Sequence, residues 1–165
     1  MLQQKRVFSF RKLFNKLLPV NKQEIYLALK NEIPEEKDLG IRHTFVYNIR
    51  VRNRAVIYTA GYISLRIGES SPLYYLGHIG YRIDRLHQGH GYAKKAVELI
   101  KPKARIMGIK SLSITCDVDN IASRKTCENA GCILEQIVDV PPAYREICMG
   151  STKKCRYILF TEEEH

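Results

Sequence analysis

The spacing of apolar positions changes along the chain, and the changes mark its elements. Val7, Phe10, Phe14, Leu17 and Leu18 recur at helical spacing, while Val7-Phe8-Ser9-Phe10 also suits a first strand. Both readings of residues 1–18 stay open. Pro19 and Asn21 precede a helical pattern, Ile25, Leu27, Ala28 and Leu29, that ends before Pro34. Glu32 to Asp38 reads as a polar loop. Three stretches rich in β-branched and aromatic residues follow: Thr44 to Val51, Ala55 to Ile67, and Tyr74 to Ile83. Asn53-Arg54 and Glu69-Ser70-Ser71-Pro72 form turns between them, so the three read as an antiparallel meander. Ala93, Ala96, Val97, Ile100, Ala104 and Met107 then share one helical face, and Gly108 closes the helix. Pro102 is expected to kink that helix or end it early. A buried strand, Ser111 to Cys116, precedes a helix that opens at Asp119-Asn120 and closes at Gly131. Ile133 to Val140 and Cys155 to Phe160 complete the strands, joined by a loop carrying Pro141 and Pro142. The order strands, helix, strand, helix, strands predicts an α/β layer fold with a mixed sheet.

Length and charge bound what such a fold does. The 165 residues fit one domain spanning 1–165, with residues 1–18 as a basic N-terminal segment. That segment holds Lys5, Arg6, Arg11, Lys12 and Lys16 and no acid. It has no apolar run of secretory-signal type, and an organelle-targeting or membrane-surface role stays open. No apolar run approaches the ~20 residues that span a bilayer, which argues against integral membrane association. The 27 Lys and Arg outnumber the 17 Asp and Glu, for a net charge of +10. Such charge suits nucleic acid, an anionic membrane or an anionic cofactor, or is functionally silent. The five cysteines are odd in number and form no CxxC pair, so neither a disulfide framework nor a zinc site is expected. They read as reduced thiols of a cytoplasmic protein.

The segment carrying the most chemistry is Ile83-Asp84-Arg85-Leu86-His87-Gln88-Gly89-His90-Gly91-Tyr92-Ala93. A strand ends, a glycine-bearing turn follows, and a helix starts. Free backbone N–H groups and the positive end of the helix dipole make an anion site suited to phosphate or pyrophosphate. Gly89 and Gly91 would let a phosphate approach the backbone. The segment is neither a dinucleotide fingerprint nor a Walker loop. A plain tight βα turn remains the alternative.

Gln88-Gly89-His90-Gly91-Tyr92-Ala93 resembles the Q/R-x-x-G-x-G/A signature of the GNAT superfamily of N-acetyltransferases. About thirty residues on, Asn120-Ile121-Ala122-Ser123 and Cys127-Glu128-Asn129-Ala130-Gly131 resemble the family's N-x-x-S/A-x-x-x-Y-E-x-x-G segment. The resemblance covers roughly Thr44 to Phe160. Gly77-His78-Ile79-Gly80-Tyr81 is similar to the subgroup containing ribosomal-protein N-terminal acetyltransferases. The resemblance implies a three-layer GNAT-like fold. Its mixed, mostly antiparallel sheet would splay at an acetyl-CoA cleft, with helices on both faces. It implies that Tyr81, Arg82 and Ile83 pair with the pantetheine arm. Gln88, Gly89, His90, Gly91, Tyr92 and Ala93 would supply the pyrophosphate loop, and Asn120 and Ser123 would face the thiol end. No metal is implied.

Cys127 stands where the family often has a tyrosine that protonates the leaving thiolate. A thiol with pKa ~8.5 can do the same, and Ser123 is the other candidate. The alternative for Cys127 is a small buried helix residue. His78, placed mid-strand, is the candidate general base, with a structural histidine as the alternative. The activity implied is acetyl transfer from acetyl-CoA to a primary amine of a small molecule or a protein N-terminus, by direct attack. A backbone N–H near Tyr81 would hold the oxyanion. The rivals are a non-catalytic CoA-binding module and a basic nucleic-acid-binding protein; no RNA-binding signature favours the second. A homodimer stays open. The acceptor pocket is expected between the first helix, the loop Glu32 to Ile41 and the loop Pro141 to Lys154.

Overall fold

A computed structural model describes residues 23–162. The basic segment 1–18 lies outside the described residues. Seven strands form one sheet in the order β1-β2-β3-β4-β5-β7-β6. They are β1 (Gln23–Ile33), β2 (Ile41–Asn53), β3 (Val56–Gly68), β4 (Ile79–Ile83), β5 (Ser111–Asp117), β6 (Ile133–Asp139) and β7 (Lys153–Phe160). Neighbouring strands run antiparallel except β4 and β5, which are parallel. The helices are α1 (Ser71–Leu76), α2 (Tyr92–Ile106) and α3 (Ile121–Asn129).

The alternation of β5 separates the two faces of the sheet. Leu112, Ile114 and Cys116 enter the main core with Val97, Ile100 and Ala104 of α2 and Cys127 of α3. Ser113 and Thr115 point the other way. There Ser113 bonds His78, and the Thr115 hydroxyl donates to the Tyr75 carbonyl of α1 at 2.9 Å. The expected mixed sheet with helices on both faces is therefore what the chain forms.

Three local expectations fail, each for a physical reason. Residues Ile25 to Leu29 are strand, not helix. Ile25 and Leu27 pair with Val51 and Ile49 of β2 and lean on the core, so tertiary pairing overrides their local pattern. Of the stretch Tyr74 to Ile83, only Ile79–Ile83 is strand. Ser70 caps α1 by accepting from the Leu73 N–H at 3.1 Å, and Pro72 occupies the first turn, so Tyr74 belongs to that helix. Pro102 neither breaks nor shortens α2, which runs on to Ile106. The proline is exposed, while Ile100 and Ala104 on either side of it are fully buried. Their packing outweighs the one helical bond that proline removes. The loop read at Glu32 to Asp38 is also shorter: β1 reaches Ile33, and a 3-10 turn covers Lys37–Leu39.

The face that α2 buries sets its contribution to stability. Ile100 is 0% exposed and Ile106 is 87% exposed. Ile100→Ala is expected to destabilise the fold by about 2–5 kcal/mol. Ile106→Ala should change stability by no more than about 0.5 kcal/mol. Chemical denaturation of both variants checks the pair.

Candidate active site

The sheet opens between β4 and β5. β4 pairs with β3 from Gly61↔Ile83 to Leu65↔Ile79, but meets β5 only at Ile79↔Ile114. The Arg66 N–H donates to the His78 carbonyl at 2.8 Å, and the Asp84 N–H to the Ala60 carbonyl at 2.9 Å. Hydrogen-bonded pairs recur every second residue in an antiparallel ladder, so Gly80 and Arg82 turn their backbone to β3. Tyr81 and Ile83 turn theirs away, along the edge that β5 has left. Of the three residues expected to meet pantetheine, Arg82 therefore spends its backbone on Tyr62 of β3. The Ile83 carbonyl accepts from the Gln88 side chain at 3.2 Å. A cavity of about 190 Å³ lies at the parting, lined by Tyr81, Cys116, Asn120, Ser123 and Lys154 among others.

The glycine turn sits at the far end of that edge. Gly89 has φ +79° and Gly91 +74°, which side-chain-bearing residues rarely adopt. A Cβ built at either position meets nothing within 4 Å, so the backbone faces open space there. The first helical bond of α2 runs from the Lys95 N–H to the Gly91 carbonyl at 3.1 Å, which leaves the Ala93 and Lys94 amides at the positive end of the helix. The side chains of this loop turn to other work. Gln88 closes the turn onto Ile83, and His90 Nδ1 lies 2.9 Å from the Gln88 carbonyl. His87 stacks on Tyr58, and Tyr92 is 3% exposed with its hydroxyl 2.8 Å from that of Tyr58. The loop thus offers an anion its backbone.

Opposite β4, Asn120 caps α3 by accepting from the Ser123 N–H at 3.0 Å. That cap turns Ser123 into the cavity. Its hydroxyl lies 2.8 Å from the Tyr81 hydroxyl, which also reaches to 3.9 Å from the Cys127 sulfur. Cys127 is 0% exposed. Its thiol is pulled down by Cys116, but the bond toward Cys132 and burial push it up to about 12. Cys127 therefore lies behind the hydroxyl pair rather than on the cleft. Burial, and then the neighbouring Cys127, raise the Tyr81 phenol above its ordinary range. The Tyr81 side chain was absent from the sequence expectation. Its inward position on a five-residue strand was the available signal.

His78 is not mid-strand: it occupies the bend before β4. The Ser113 backbone N–H donates to His78 Nδ1 at 3.0 Å, so the ring proton sits on Nε2, 3.2 Å from the Gly68 carbonyl. Both ring nitrogens are engaged, Nδ1 by Ser113 and Nε2 by the Gly68 carbonyl. The space beside Gly80 is filled, because the Arg66 guanidinium lies 3.0 Å from where a Cβ at that position would be. Burial lowers the His78 pKa; the bond to Gly68 opposes this, and Arg156 and Arg66 add to it. On the other rim, Lys154, 6% exposed, pairs with Asp117 at 2.8 Å, and the Ser151 hydroxyl bonds the same carboxylate. The first helix expected to wall an acceptor pocket is replaced by β1.

The family described as an acetyltransferase (GNAT) domain matches residues 1–133. None of the curated protein sequences compared with the chain matches it. Among solved structures, the chain is similar to a microcin C7 self-immunity acetyltransferase in complex with acetyl-CoA and AMP. That match has 23% identity and a TM-score of 0.54, covering 71% of this chain and 61% of that one. A ribosomal L7/L12 alpha-N-protein acetyltransferase matches at 21% identity and TM-score 0.54, covering 73% and 72%. A ribosomal-protein-S5-alanine acetyltransferase from Vibrio fischeri matches at 15% identity and TM-score 0.55, covering 98% and 72%. The chain thus spans about three fifths to seven tenths of these proteins' lengths. These likenesses concern the fold. Among the described residues no helix is long and apolar enough to cross a membrane, and no cluster of potential metal ligands occurs.

The locked His78 ring has a consequence for stability. Its folded pKa lies below the ordinary imidazole value of about 6.5, so the unfolded chain binds a proton first. Its stabilising contribution is present above about pH 6.5 and is lost as pH falls below it. His78→Gln should flatten the fall in melting temperature between pH 7 and 5.5. Thermal unfolding across that range, with wild type alongside, is the measurement.

Proposed function

The chain belongs to the GNAT acetyltransferase family, and on that premise we propose that it acetylates a primary amine with acetyl-CoA by direct attack. The acceptor is a small molecule or a protein N-terminus. The observation that carries the reading is the open edge of β4, which joins the glycine turn to the Tyr81–Ser123 hydroxyl pair. The fit to an anionic, elongated thioester rests on the open space at Gly89 and Gly91 and on the cavity where β4 and β5 part. Acetyl-CoA supplies the activated acetyl group. The backbone from Gly89 to Ala93 holds its pyrophosphate. The amides of Tyr81 and Ile83 hold the pantetheine arm, and the Tyr81 N–H donates to the acyl oxygen. The five free, buried cysteines suit a reducing compartment, which favours the cytoplasm.

The hydroxyl pair acts on the leaving sulfur. A raised Tyr81 pKa makes the phenol a poor proton source for a thiolate near ~8.5. It remains a good hydrogen-bond donor. Tyr81 donates to Ser123 Oγ and turns the serine hydrogen toward the sulfur, and solvent then returns the proton. Cys127, expected at first as an acid, packs behind this pair. His78 does not take the amine's proton, because both its ring nitrogens are engaged. The amine arrives neutral or loses its proton to water.

Release of the CoA thiol on mixing acetyl-CoA with amines and N-terminal peptides tests the activity. CoA binding without turnover would leave a binding module, and salt-dependent RNA binding alone would leave a nucleic-acid protein. Ser123→Ala should lower kcat about 10–100-fold, the worth of a hydrogen bond to a charged group. Tyr81→Phe should lower it less. Cys127→Ala should leave kcat near wild type while lowering the melting temperature. The rate should rise with pH along the acceptor's own ionisation, near ~8 for an α-amine and above ~10 for a lysine-type amine. That limb should persist in His78→Gln.

A further inference from the structure

A second cavity of about 310 Å³ opens on the α1 face of the sheet, lined by Glu36, Thr44, Tyr62, Ser64 and Arg66 among others. Ser64 has no part in the first cavity's lining, but Arg66 and Leu76 line both. The guanidinium donates to the Gly77 carbonyl at 3.1 Å and forms no ion pair among the described residues. Burial lowers its pKa, and Glu36 opposes the shift from a distance. Thr44 stands directly across from Arg66 in the β2–β3 ladder. It is 4% exposed, and its hydroxyl has no hydrogen-bond partner. A guanidinium with unspent donors and an orphaned buried hydroxyl thus share one face at the inner end of the cleft. Buried polar groups of this kind are rarely left unmet.

We infer that Arg66, with Thr44 beside it, binds a carboxylate carried by the acceptor amine. The planar guanidinium matches a carboxylate through paired N–H donors, and the Thr44 hydroxyl adds a third. Glu36 on the same cavity wall repels further negative charge, which favours a monoanionic carboxylate over a phosphate dianion. The geometry selects an amine whose carboxylate lies a few bonds from the nitrogen. It belongs either to a free amino acid or to an acidic residue at a peptide N-terminus. This inference rests on the acetyl-transfer reading for the word acceptor, but the anion site itself does not.

The test uses matched amines: glycine, β-alanine and 4-aminobutanoate against methylamine, ethylamine and propylamine. The peptide arm sets Asp-Ala-Ala-amide against Asn-Ala-Ala-amide. Arg66→Met should cut kcat/KM for the carboxylate-bearing amines about tenfold to hundredfold more than for the neutral amines. Thr44→Val, which keeps the buried shape, should cut the same preference several-fold. Calorimetry of the CoA-bound protein with 4-aminobutanoate, where no transfer can occur, should show binding that Arg66→Met abolishes. Equal loss for charged and neutral amines, or no binding of 4-aminobutanoate to wild type, overturns the inference. If 4-aminobutanoate binds through Arg66 but no amine is ever acetylated, the acetyl-transfer reading fails and the carboxylate site stands. A larger preference with the aspartyl peptide than with the free amino acids assigns the carboxylate to a protein N-terminus.

Discussion

The rest of the molecule depends on the single bridge between Ile79 and Ile114. Two parallel strands that stayed together would exhaust each other's backbone groups. Here they separate after one pair, and the edge of β4 at Tyr81 and Ile83 is left to find other partners. Backbone N–H and C=O groups carry an obligatory demand for hydrogen bonds, so the split stores a binding surface in main chain. Ile79 and Ile114 are each 1% exposed in the core. Just before them, the His78 ring staples β4 to Ser113 of β5 on one side and to the end of β3 at Gly68 on the other. The histidine that resembled a base thereby ties the strands together at the closed end of the cleft.

Much of this was legible in sequence. The glycine turn could be read because its constraint is local: only glycine takes φ near +75° cheaply, and a helix must begin directly after it. The Asn120 cap was equally local, since its oxygen reaches only three residues ahead. The misreadings have one cause in common. Ile25 to Leu29 is too short to distinguish helical from alternating spacing, and only pairing with β2 decides it. Tyr74 carries high strand propensity, but Ser70 and Pro72 start a helix that propensity does not see. His78 then fell on the wrong side of a boundary shifted by that helix. The Tyr81–Ser123 contact joins residues 42 apart, and no local pattern reports such a distance.

The cysteines show how a substitution can keep a site while moving its chemistry. The resemblance placed a phenol at position 127, and this chain carries a thiol there. A phenol nonetheless stands beside Ser123, contributed by Tyr81 from the facing strand. Cys127 fills the space behind it and, with Cys116 and Cys132, forms a layer of small, polarisable side chains between β5 and α3. Hydrogen bonding with Cys127 and then burial raise the Cys116 thiol as well, whereas the bond with Cys127 lowers Cys132. The raised Cys116 and Cys127 thiols add no charge beside the hydroxyl pair, and the serine hydrogen is left as the polar group beside the cleft.

The two ends of the cleft are built from different materials, and that difference fixes what each can encode. At the glycine turn the groups facing open space are amides, while Gln88, His90 and Tyr92 brace the loop from behind. Amides are common to every residue, so the turn recognises an anion with little dependence on side-chain identity. At the opposite end the facing groups are Arg66, Thr44 and Glu36, all side chains. They converge from β2, β3 and the turn after β1, and their meeting depends on register: Thr44 opposes Arg66 only because the shift between Ile41 and His43 sets that pairing. A one-residue slip of β3 would send Arg66 to the core face, where Leu65 now packs. Burial of Ile63 and Leu65 therefore holds the register, and the register in turn places the Arg66 charge proposed to select the acceptor. On the proposed reading, cofactor recognition is written locally in the backbone, whereas acceptor recognition is written in the pairing of the sheet.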